Sequence, residues 1–216
     1  MKKLNKEVVH EFSFADGSCS LSTGKIAERS DAAVIGQMGD TVVLATVNVG
    51  EAQESAEFFP LSVEYIERMY AGGLISSSRF VKRERFPSLG ATLAARMIDR
   101  SVRSRFPDDY RSEVQVILTV LSYDPANDPV LVGFFAVSAA LMLSSAPFEG
   151  PVAGIRVGSD ENGVNLCVKD MEVNGESEDA ELNFVLSTDG EMITMIDANS
   201  REVPEDMIIE SMEFGV

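Results

Sequence analysis

Between Ser76 and Pro87 the chain sets four bases, Arg79, Lys82, Arg83 and Arg85, among two aromatics, Phe80 and Phe86. That mixture suits single-stranded nucleic acid. Cations hold phosphates and release counterions, which makes binding salt-dependent. An aromatic face stacks on any base, worth about 1–3 kcal/mol per base. The same residues also describe a strand-to-helix loop whose phenylalanines anchor a core and whose bases offset an acidic body. Composition and spacing alone leave both open. Arg96, Arg100 and Arg103 follow at i, i+4 and i+7, a spacing that lines side chains along one helix face and extends the cationic track.

Other chemistry is poorly provided for. The one histidine, His10, sits in a strand-like run without a serine or cysteine motif beside it, so it reads as structural or surface. Carboxylate pairs such as Glu176/Glu178 and Glu205/Asp206 are what an acidic chain produces by chance, and read as solvated faces. No phosphate-binding glycine loop or metal-ligand spacing is found. No catalytic residue and no metal ligand is expected in this chain.

The chain has 216 residues and a formal charge of −17. Such a balance argues against a surface coated with nucleic acid. The charge is unevenly placed, however. From Arg79 to Arg111 nine bases face four acids, a local +5 that leaves −22 for the rest. From Asp170 to Val216 the only base is Arg201. One anion-binding edge on an acidic body fits that pattern. No apolar run reaches the roughly 18–20 residues that span a bilayer, and Cys19 and Cys167 suit a reducing compartment. A cytoplasmic protein with no membrane partner is expected.

The elements that must position these residues are legible from pattern. No repeat or linker divides the chain, so residues 1–216 are expected to form one domain, with an N-terminal strand in 1–14 and a closing helix in 203–216. Strands are predicted around Val9–Phe14, Cys19–Thr23, Ala32–Ile35 and Thr41–Asn48, the last two joined by a hairpin at Gly36–Asp40. Phe59–Ile66 alternates as a further strand, and Val114–Ser122 reads as one covered on both faces. Four more are expected at Val152–Val157, Asn165–Val168, Leu182–Leu186 and Met192–Ile196. After Ser88, a candidate N-cap, helical spacing puts Ala94, Ala95, Met97, Ile98 and Val102 on one arc and the three arginines opposite. Val130–Leu143 reads as a buried helix, and Pro204–Phe214 as an acidic one opened by Pro204. Strands first, then helices interleaved with strands, predict an α+β fold with a mixed sheet packed against helices.

Several motifs in order carry a resemblance. They are Thr23-Gly24-Lys25-Ile26-Ala27, the run Gly39–Val47, Phe58–Val63, Tyr70-Ala71-Gly72-Gly73, Arg96–Arg103, Glu113–Val116, Ser138–Leu141 and Pro147–Pro151. Together they resemble the first core domain of the polynucleotide phosphorylase family, whose cores have the RNase PH fold of the ribosomal protein S5 domain 2-like type. The resemblance implies a longer parent enzyme with a linking helical domain, a second core and KH and S1 modules. It further implies a homotrimeric ring that degrades single-stranded RNA 3′→5′ by phosphorolysis to nucleoside diphosphates, using Mg²⁺ and inorganic phosphate.

The resemblance assigns RNA gripping to a Phe-Phe-Arg/Lys-Arg loop, matched here by Phe80-Val81-Lys82-Arg83, with Val81 in place of the second aromatic. RNA-binding residues are therefore expected to be Phe80, Lys82, Arg83, Arg96, Arg100 and Arg103. The family's following Glu-Gly-Arg-Pro is Glu84-Arg85-Phe86-Pro87 here. Catalysis belongs to the second core, through an Asp-Phe-Lys run and an earlier aspartate. The matching positions here are Asn183-Phe184-Val185 and Ser177, and the phosphate cradle corresponds to Ala136-Val137-Ser138 without its glycine, so neither the acids nor a backbone nest for phosphate is expected. Without those acids this chain is expected to hold no cofactor and not to phosphorolyse RNA alone. The competing expectations are a stand-alone phosphorolytic enzyme of the RNase PH type, and a ring-forming scaffold whose three arginines pair with the acidic C-terminal half.

Overall fold

The computed structural model describes residues 6–14, 17–52, 57–74, 86–160, 163–166 and 182–216. Four strands run as successive antiparallel neighbours, β1 (Val8–Phe14), β2 (Gly17–Thr23), β3 (Ala32–Met38) and β4 (Thr41–Ala52). The β3–β4 hairpin turns on Gly39-Asp40. Gly39 has φ 55°, and a side chain there would sit 2.6 Å from the Asn127 amide, so both backbone and space demand glycine.

The chain then passes through β5 (Leu61–Ile66), a short 3₁₀ turn at Met69–Gly72, α1 (Leu89–Arg103) and β6 (Ser112–Ser122). Returning by way of a helix is what lets β5 lie parallel to β6, with Leu61 opposite Val114. The sheet order is β1-β2-β3-β4-β6-β5, and β5–β6 is its one parallel pair among the described residues. The fold is thus α+β with a mixed sheet, as the pattern predicted. β6 departs from expectation in one respect. Val114, Val116, Leu118 and Val120 are buried, whereas Gln115, Ile117 and Thr119 are only half-buried, because one face meets the core and the other is not fully covered.

A second sheet is antiparallel throughout, in the order β10 (Ile193–Ser200), β9 (Leu182–Thr188), β7 (Ala153–Asp160), β8 (Gly163–Leu166). Helix α2 (Pro129–Leu143) joins the two layers, touching β3, β4 and β6 of the first and β7 of the second. Its mean composition is apolar on all sides for that reason. Gly133 lets α2 approach β6. A Cβ there would lie 2.8 Å from Leu118. Helix α3 (Glu205–Gly215) covers the second sheet's other side, where Ile208 and Met212 pack on Val157, Leu182, Phe184 and Leu186. Pro204 is its N-cap residue, one place earlier than expected.

Candidate nucleic-acid interface

Helix α1 begins where Ser88 accepts a 2.9 Å hydrogen bond from the Ala91 amide, satisfying one orphan donor of the first turn. The same hydroxyl donates to Glu67 Oε2 at 2.8 Å, which ties the helix start to the end of β5. Burial of Ala91, Ala94, Ile98, Ser101 and Val102 then fixes the helix rotation. The opposite stripe is turned outward. It holds Leu89 and Leu93, 77% and 48% exposed, and the exposed Arg96 and Arg100. Among the described residues no ion pair or hydrogen bond engages either guanidinium.

Arg103 is placed differently. Its Nε and Nη2 meet the Asp99 carboxylate at 3.1 and 2.8 Å, Nη1 donates to the Phe59 carbonyl and Nη2 to the Leu61 carbonyl, each at 3.1 Å. The guanidinium also lies 5.6 Å from the centre of the Phe59 ring, a cation–π distance. Arg103 therefore spends its fork inside the chain, fastening the end of α1 to the start of β5. Of the three helix arginines, two face outward together and the third is turned to the body. Phe80, Lys82 and Arg83 lie outside the described residues. Phe86 is described, and at 89% exposed it anchors no core. It forms one wall of a groove of about 810 Å³ floored by β5 and the first turns of α1.

A second locus was not legible in the sequence. Asp128, the N-cap of α2, accepts from the Val130 amide at 2.8 Å and pairs through its other oxygen with Arg156 Nη2 at 2.6 Å. Arg156 Nη1 points to Asn183 Oδ1 at 3.5 Å. The pair is largely buried, with side chains 19% and 13% exposed. Three elements, α2, β7 and β9, thus converge on Arg156, whose partners Asp128 and Asn183 stand 28 and 27 positions away in the chain. Burial raises the Tyr65 hydroxyl's pKa well above its ordinary value, and the nearby Asp128 carboxylate adds to the shift.

The positions matched to the family's phosphate cradle, Ala136, Val137 and Ser138, are expected from sequence to lack its backbone nest, and their place in the fold gives a physical reason. They sit within α2, buried, and Ser138 accepts from the Val152 amide. An uninterrupted helix has its amides bonded internally, so no donor nest exists there. The donors lie at the helix start, where Pro129 lacks an N–H and the Asp128 carboxylate already caps Val130. Asn183, by contrast, does stand on β9 beside that helix start. His10 is exposed and stacks on Phe12, with ring centres 6.2 Å apart. None of the described helices is long and apolar enough to cross a membrane.

Fold and locus together define an RNase PH-type core. The family described as "3′ exoribonuclease family, domain 1" matches residues 17–147, and the chain belongs to that RNase PH family. Similar proteins include the polyribonucleotide nucleotidyltransferases of Rhodopseudomonas palustris (43% identical, 90% of this chain) and Rhizobium meliloti (42%, 95%). That of Thermus thermophilus is 42% identical over 95% of this chain. The chain spans only 27% to 28% of the length of these relatives. Rice Rrp46 shares the fold, with a TM-score of 0.66 at 16% identity, covering 99% of this chain and 88% of that one.

Proposed function

We propose that the chain is an RNA-gripping, non-catalytic first core of a polyribonucleotide nucleotidyltransferase. The parent enzyme degrades single-stranded RNA 3′→5′ by phosphorolysis, works in the cytoplasm and assembles as a homotrimer. Mg²⁺ and inorganic phosphate belong to its second core. One contrast carries the reading: cations are available where a strand would be held and spent where it would be cut. Arg96 and Arg100 face outward without partners among the described residues. At the place matched to the family's acids, Arg156 lies between Asn183 and Asp128. A carboxylate already bound to a guanidinium is a poor ligand for Mg²⁺, and it repels a phosphate from the helix start it caps. The residues present therefore do not fit either group, and no catalytic step is assigned to them. The scaffold reading gains only from Arg103, whose donors are held within the chain, though by Asp99 and two carbonyls of the N-terminal half and not by the acidic C-terminal half.

Fluorescence anisotropy with a labelled single-stranded oligoribonucleotide tests the gripping. Arg96→Ala/Arg100→Ala and Lys82→Ala/Arg83→Ala should each weaken binding. Each lost phosphate contact should lower the slope of log K against log salt by about 0.7. Binding that ignores both double substitutions would refute RNA gripping by these residues. Incubation of the chain with RNA, Mg²⁺ and inorganic phosphate should release no nucleoside diphosphate, and release at enzymatic rates would establish the stand-alone alternative.

A further inference from the structure

Among the described residues Phe86 packs into no core cluster. It is 89% exposed, and large apolar side chains gain by leaving water unless something else meets them. It occupies a position that the resemblance gives to arginine, in a chain where the family's second loop aromatic is Val81. It also stands just ahead of Ser88, the cap from which α1 carries its outward stripe of Leu89, Leu93, Arg96 and Arg100. At 1.5 Å per residue the stripe from Leu89 to Arg100 runs about 16 Å. An aromatic wall therefore stands at one end of a track whose other end holds two outward guanidiniums.

The groove beside Phe86 separates the two halves of a nucleotide by charge. Val63, Pro87 and Ala91 give it an apolar lining, and Glu64 and Glu67 set two carboxylates against the single guanidinium of Arg68 on its wall. Phosphate is repelled from that wall and attracted to Arg96 and Arg100. An uncharged base is the part of a strand that fits against the ring.

Resting on the RNA-gripping reading above, we infer that Phe86 is a second base-stacking residue for single-stranded RNA, placing one base against the β5–α1 groove while Arg96 and Arg100 hold phosphates. It supplies from the helix side the aromatic face that Val81 lacks.

The anisotropy experiment on the full chain separates this inference from the reading it rests on. Phe86→Ala should weaken binding of a single-stranded oligoribonucleotide about five- to tenfold, the low end of one stacking contact. The salt slope should stay unchanged, because no charge is removed. Phe86→Trp should restore affinity, and an oligomer with abasic sites should not distinguish Phe86→Ala from wild type. The melting temperature should not move, since the ring is already in water. If Phe86→Ala binds like wild type while Arg96→Ala/Arg100→Ala is weakened, the stacking role is wrong and the gripping stands. If neither of these substitutions nor Lys82→Ala/Arg83→Ala changes binding, the gripping fails and this inference falls with it.

Discussion

Arg103 shows how one guanidinium can be mistaken for another on a helical wheel. Angle alone groups it with Arg96 and Arg100, yet its position at the last turn brings it level with the Phe59 and Leu61 carbonyls, which a planar fork reaches simultaneously. Arg103→Ala should destabilise the fold by about 1–2 kcal/mol, discounted from the usual worth of charge-assisted hydrogen bonds because the side chain is 39% exposed. Arg103→Lys should recover little of this, as an ammonium cannot bridge Asp99 and two carbonyls at once. Urea unfolding measures both. An unchanged midpoint for Arg103→Ala would make the internal hydrogen bonds energetically idle and return the residue to the RNA track.

At the scale of elements, α1 depends on Ser88 twice, as a cap for Ala91 and as a donor to Glu67. Ser88→Ala should cost about 1 kcal/mol, while Ser88→Asp keeps an acceptor for Ala91 yet sets a charge beside Glu67 and should recover only part. Thermal unfolding checks the order wild type, Asp, Ala. This cap illustrates what was readable in advance. A hydroxyl before a period of 3.6 named the start of α1, and an apolar run with small residues named α2 as buried. The turn is two residues, Gly39-Asp40, where the pattern predicts a five-residue hairpin at Gly36–Asp40. What pattern could not give was convergence between distant elements. Asp128 looks like any residue before proline, Arg156 like any strand residue, and only the packing of α2 on β7 brings them together. Phe86 was equally undecidable, because an aromatic in a basic loop satisfies a core and a ligand alike until its exposure is known.

For the whole molecule, stability at high pH should be set in part by Tyr65. Burial and then Asp128 favour the neutral phenol in the folded state. Its folded pKa is raised, so the contribution is complete below the unfolded value of about 10 and is lost as pH rises beyond it. Tyr65→Phe should remove that loss and flatten the alkaline limb of a stability–pH curve, as measured by denaturant unfolding from pH 7 to 11. An equally steep limb in the variant would show that other groups control it.

The end of α1 is moored in two directions. Arg103 fastens it to β5, and two residues later Arg105 reaches the Glu149 carbonyl at 2.7 Å and Asp189, in the turn between β9 and β10, at 2.8 Å. A load applied along the outward stripe is accordingly divided between both layers of the molecule and cannot swivel the helix about a single hinge. For a filament drawn lengthwise past Arg96 and Arg100, such a doubly braced strut is a bearing that stays still while its cargo slides.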